Sequence, residues 1–167
     1  MNIDIVNRSA LEALEKGDFL TAQKLFHKNC NCKDYRTLNN YGVFCIENGF
    51  ERKNGQIVSG VGYGKRYIKE AYERNNNWLI LSNMASLARY EKDFKLAFDF
   101  YKKAYEQRNH ADILYNMSAC LYETNQFKAV MALLEEQNLM VSDFFLLYLF
   151  SALKENKDIF ISMLNEK

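Results

Sequence analysis

The chain has 167 residues, of which 22 are basic and 21 acidic; its formal net charge is +1, with 49% apolar and 26% charged residues. That balance excludes the global positive field of a nucleic-acid or anionic-membrane binder. The longest apolar run, FFLLYLF at 144–150, falls far short of the roughly 20 residues that span a bilayer.

Proline is absent, which favours uninterrupted helices, because proline removes a backbone donor and clashes inside a helix. The N-terminal stretch MNIDIVNRSALEALEKGDF mixes polar and apolar residues and lacks the apolar segment of a signal peptide. A cytoplasmic location is therefore expected, with Cys30, Cys32, Cys45 and Cys120 as reduced thiols.

Taken in order, the chain repeats itself. SALEALEKGDFLTAQKLF, from Ser9, forms a first unit, and LNNYGVFCIENG, from Leu38, begins a second. NMASLARYEKDFKLAFDFY from Asn83 and NMSACLYETNQFKAVMALL from Asn116 align without gaps at an offset of 33 residues. Small residues recur at unit position 8 (Ala10, Gly42, Ala85, Ser118) and, with one exception, at position 20 (Ala22, Gly64, Ala97, with Val130 last). Small side chains there let two helices approach closely. Apolar or aromatic residues at position 17 (Phe19, Val61, Phe94, Phe127) are expected to wedge between the paired helices. Gly17, Gly49, Lys92 and Asn125 stand at position 15, where glycine or asparagine takes the left-handed conformation that stops a helix. The second unit is about ten residues too long. A Gly-rich insert near 50–63 is expected to project as a mobile loop, with helix resuming near Lys65.

This pattern resembles the tetratricopeptide repeat (TPR) superfamily, over roughly residues 3–143. Two departures stand out: position 4 carries Val6, Leu38, Leu81 and Leu114 rather than tryptophan, and the family's proline is missing. The resemblance implies an all-α fold, a right-handed α-solenoid of antiparallel helix pairs. It would be a single domain over 1–167, with repeats at about 3–34, 35–77, 78–110 and 111–142. A degenerate fifth pair at 143–167 would cap the end, giving about ten helices.

The resemblance also places a groove. Helix A of each unit would line a concave face through positions 2, 5, 6, 9, 12 and 13. Position 6 is Asn40, Asn83 and Asn116 in three successive units, and an amide there can donate to and accept from a peptide backbone. Asn39, Tyr115 and Arg36 stand nearby. The basic clamp of the subclass that binds chaperone C-termini is absent. The implied function is a protein-interaction module or adaptor, a scaffold that holds an extended peptide of a partner.

Nothing in the chain points to catalysis, and no enzyme is expected. The only histidines, His27 and His110, are far apart in sequence, and no metalloprotease, nucleophile-elbow or paired-cysteine motif occurs. His27, Cys30 and Cys32, with Cys45 beyond, match no standard zinc spacing, so no metal is expected. GVGYGKR, from Gly60, has the wrong spacing for a phosphate loop and no strand before it, so no cofactor is expected either. The expected partner is a protein or peptide, not nucleic acid or a membrane. The alternative is a structural or regulatory subunit that docks or forms a homodimer through its C-terminal apolar helices, with Phe144, Phe145, Leu147 and Tyr148 at the interface.

Overall fold

The computed structural model describes residues 3–31, 33–52 and 55–136. Among these the fold is all-helical apart from one short hairpin. Eight helices follow one another: α1 (Ile3–Glu15), α2 (Phe19–Cys30), α3 (Tyr35–Asn48), α4 (Val61–Arg74), α5 (Trp78–Tyr90), α6 (Phe94–Gln107), α7 (Ala111–Glu123) and α8 (Phe127–Glu136). Each packs on its neighbour in the chain, and α3 also touches α5. The segment expected to cap the array, 143–167, lies outside the described residues.

Local chemistry sets the helix ends. Asp18, Asp34, Asn77 and Asp93 each accept a backbone N–H of the first turn, at 3.0–3.2 Å. They satisfy donors that a helix start leaves orphaned. His110 does the same for α7, its Nδ1 accepting from the Asp112 N–H at 3.3 Å. The stop signal of helix A behaves as expected. Gly17, Gly49, Lys92 and Asn125 all have positive φ, between 57° and 77°. Lys92 adopts this conformation despite its Cβ, at a cost of about 1 kcal/mol.

The small positions are where paired helices cross. Ala10, Ala22, Ala85, Ala97 and Ser118 have no exposed surface, and Val130 is buried. The α3–α4 crossing carries glycine on both helices. A Cβ on Gly64 would stand 2.5 Å from the Gly42 carbonyl oxygen, and one on Gly42 would stand 2.6 Å from Ile68 Cγ1. This corrects the expected start of the helix near Lys65: α4 begins at Val61, and Gly62 and Gly64 are helical residues. Position 17 is only partly as expected. Phe94 packs on the core, but Phe19 is 50% exposed, although both stand first in their helices.

The described part of the insert forms a hairpin. Phe50–Glu51 and Ile57–Val58 form a two-stranded antiparallel pair, β1 and β2, with Phe50 opposite Val58 and Glu51 opposite Ile57. Its ends are pinned. A Cβ on Gly60 would lie inside the Cys45 carbonyl, and one on Gly49 would stand 2.9 Å from the Val58 oxygen. Phe50 packs against the core. The expected loose loop is thus a hairpin fastened to the end of α3.

Two apolar clusters make the core. One joins Ala10, Phe26, Leu38, Tyr41, Tyr67 and Ile80; the other joins Leu81, Phe100, Tyr101, Ile113 and Met117; Tyr72 touches both. At the centre of the first, the Tyr41 ring meets Tyr67 at 4.8 Å, Phe26 at 5.9 Å and Phe44 at 6.2 Å. Two buried polar atoms, the Tyr41 hydroxyl and Asn29 Nδ2, have no hydrogen-bond partner among the described residues.

Polar side chains tie the odd-numbered helices together. The Thr37 hydroxyl donates to Asn7 Oδ1 at 2.8 Å, joining α3 to α1. Asn83 Nδ2 donates to Asn39 Oδ1 at 2.7 Å, joining α5 to α3. Arg89 Nη1 donates to Asn116 Oδ1 at 2.5 Å, joining α5 to α7.

Candidate functional site

A cleft of about 220 Å³ opens where α3 and α5 lie beside α4. Val43, Ile46 and Glu47 of α3 form one wall, and Asn83, Ser86, Leu87 and Tyr90 of α5 form the other. Both sets follow the three- and four-residue spacing that puts side chains on one helix face. Val61 and Ile68 of α4 line the cleft between them. The walls are mostly apolar, with a carboxylate, an amide, a hydroxyl and a phenol among them. At the Tyr90 end, Lys65 lies 5.2 Å from the ring centroid and pairs with Glu91 at 2.8 Å. The hydrogen bond from Lys65, and then its charge, hold the Glu91 carboxyl below its usual range.

The expected groove residues divide. Asn83 lines the cleft, and Asn39, 3% exposed, lies behind it as its hydrogen-bond partner. Asn83 gives one amide N–H to Asn39 and keeps its carbonyl oxygen as an acceptor and its second N–H as a donor for a ligand. Asn116 sits further along: it accepts from Arg89 and donates to the Asp112 carbonyl at 2.8 Å. Asn40 is half-buried, and its side chain makes no hydrogen bond among the described residues. Tyr115 is half-buried on α7. Arg36, in the first turn of α3, is bound to Asp4 at 2.7 Å and Asp34 at 3.1 Å and lies over the Tyr35 ring. Asn39 and Asn83 are therefore brought together, while Asn116 and Arg36 serve other contacts. Phe144, Phe145, Leu147 and Tyr148 lie outside the described residues.

Sequence reasoning passed over Val43, Ile46, Glu47, Ser86 and Tyr90. They occupy positions 9, 12 and 13 of their units, the same helix face that singled out the asparagines, so the signal was present.

Among the described residues, no group of three or more His, Cys, Asp or Glu is placed to hold a metal, and no helix is long and apolar enough to cross a membrane. The expectation that no strand precedes GVGYGKR does not hold: β2, Ile57–Val58, ends just before Gly60, and the motif is largely the first turns of α4.

The free thiols divide by burial. Burial pushes Cys45 up to about 12 and Cys120 up to about 11. Both stay protonated at neutral pH, and the thiolate is the nucleophile. In the folded protein at about pH 8, brief iodoacetamide treatment followed by peptide mass spectrometry should find these two modified far more slowly than half-buried Cys30. Equal labelling of all three would show that the two clusters open readily.

No protein-family model matches the chain, and no curated protein matches it.

Proposed function

We propose that this chain is a TPR-type interaction module, a right-handed α-solenoid of about four helix pairs, and that it holds an extended segment of a partner protein in the cleft between α3 and α5. The observation that carries the reading is that cleft. It is apolar enough to take one aliphatic or small aromatic side chain, and it presents the Asn83 carbonyl oxygen, which can accept a peptide N–H. The register of small residues at the helix crossings and of left-handed residues after helix A supports the repeat architecture. Binding rather than catalysis suits a site of one amide, one hydroxyl, one phenol and one carboxylate with no activated nucleophile. The free thiols of Cys30, Cys45 and Cys120 suit a reducing cytoplasm.

The test begins with peptides selected from a random library on the wild-type protein. Ser86 is exposed on the cleft wall, and Ser86→Arg would lay a long cationic side chain across the mouth. It should weaken the selected peptides about tenfold or more, measured by fluorescence anisotropy, with the helical circular dichroism signal unchanged. Tight binding to this variant would place the binding site elsewhere on the molecule.

A further inference from the structure

A second groove lies on the opposite side of α4. Val61 and Ile68 face the cleft, whereas Tyr63, about 200° round the helix from Val61, faces a larger hollow of about 820 Å³. Leu20, Gln23, Lys24 and His27 form one wall, spaced as a single face of α2. Phe50 of β1 and Arg52, just beyond it, form the other. The hollow exists because of the hairpin, an excursion from the repeat.

Its chemistry is one-sided. Every charged or titratable basic side chain on its walls is Lys24, His27 or Arg52, and no Asp or Glu lines it among the described residues. None of these three takes part in a salt bridge among the described residues. Asp18, at the start of α2, is committed to the Thr21 N–H at 3.1 Å and feels Lys24 only as the weakest of several influences. The apolar component is also concentrated: Leu20 is 43% exposed, and the Phe50 and Tyr63 rings stack at 4.5 Å. In a chain of net charge +1, an unpaired cationic and aromatic hollow on a pinned hairpin is complementary to one kind of ligand.

We propose that the groove between α2 and the hairpin is a second docking surface, for an acidic segment of a partner protein that carries an aromatic residue. Carboxylates meet Lys24 and Arg52, and the aromatic side chain packs on Leu20 and the Phe50–Tyr63 pair. A single-stranded nucleic acid fits less well. It asks for cations tracking a strand and for open ring faces, whereas here the two rings already lie face to face and the basic side chains stand on the two walls of one hollow. Because Gly49 and Gly60 anchor the hairpin, the surface is formed before the ligand arrives, which lowers the ordering cost of binding.

The probe is a fluorescein-labelled octapeptide of alternating Glu and Phe, compared with its Gln-for-Glu counterpart and with labelled oligothymidylate. The Glu peptide should bind the wild-type protein, and the Gln peptide about tenfold or more weaker. Lys24→Glu with Arg52→Glu, both at exposed positions, should lose the Glu peptide at least as far. If that pair lowers the helical signal, Arg52→Gln alone should still weaken binding several-fold. Ser86→Arg, in the cleft, should leave it unchanged, which separates this surface from the proposed peptide cleft. The proposal is overturned if the Glu peptide does not bind, if it binds the charge variants within about twofold of wild type, if Ser86→Arg abolishes its binding, or if oligothymidylate binds more tightly than the peptide.

Discussion

Gly64→Val should lower the thermal unfolding midpoint by about 6–12 °C, corresponding to a loss of about 3 kcal/mol at the upper end of overpacking effects. The reason is backbone against backbone. A Cβ at residue 64 would approach the Gly42 carbonyl oxygen at 2.5 Å and collide with the Ile46 side chain. Neither α3 nor α4 can yield without opening the first core cluster, since Gly42 is itself closed in by Ile68. Gly62→Ala is the internal control. Its Cβ would meet nothing within 4 Å, so it should be neutral or stabilising by up to about 1 kcal/mol, because alanine favours the helix. Differential scanning of both variants decides the matter: equal midpoints would mean that α3 and α4 do not cross at these glycines.

The second large effect is at Tyr41, which has no exposed surface and has aromatic neighbours on several sides. Tyr41→Ala should cost about 3–5 kcal/mol in urea unfolding, the range for deleting a buried aromatic ring. Tyr41→Phe should cost nothing and gain up to about 1 kcal/mol. The hydroxyl is buried with no hydrogen-bond partner among the described residues, and removing an unsatisfied polar group relieves its desolvation penalty. Burial raises the hydroxyl well above its ordinary titration value, and the nearby Cys45 and Tyr67 add to this, so the ring is un-ionised in either case. A Tyr41→Phe variant as unstable as Tyr41→Ala would show that the hydroxyl makes a bond absent from this structure.

The helical array was legible because its rules are local. Ala85, Ala97 and their equivalents announce a close crossing, and Gly17, Gly49, Lys92 and Asn125 announce where helix A stops. The hairpin was not legible. Strands of two residues carry no period-2 signal, and GVGYG reads as loop by propensity although Gly64 is demanded by the crossing with Gly42. Register alone did not decide burial at position 17: Phe19 and Phe94 each stand first in a helix, yet only Phe94 packs on the core. For the candidate site, the sequence pointed to the right helix face through Asn83. It could not show that Asn39 claims the Asn83 amide, or that Arg89 claims Asn116, because those partners lie 44 and 27 residues away. The basic hollow was equally hidden, since Lys24, Arg52 and Tyr63 come together only after the hairpin has folded back on α2.

The ties Asn7–Thr37, Asn39–Asn83 and Arg89–Asn116 run along the odd-numbered helices. A hydrogen bond weakens steeply when stretched or bent, whereas apolar contact has no preferred direction. Each tied pair of helices is therefore held in direction as well as by contact, and a variant that removes one tie should leave its two helices to apolar packing alone.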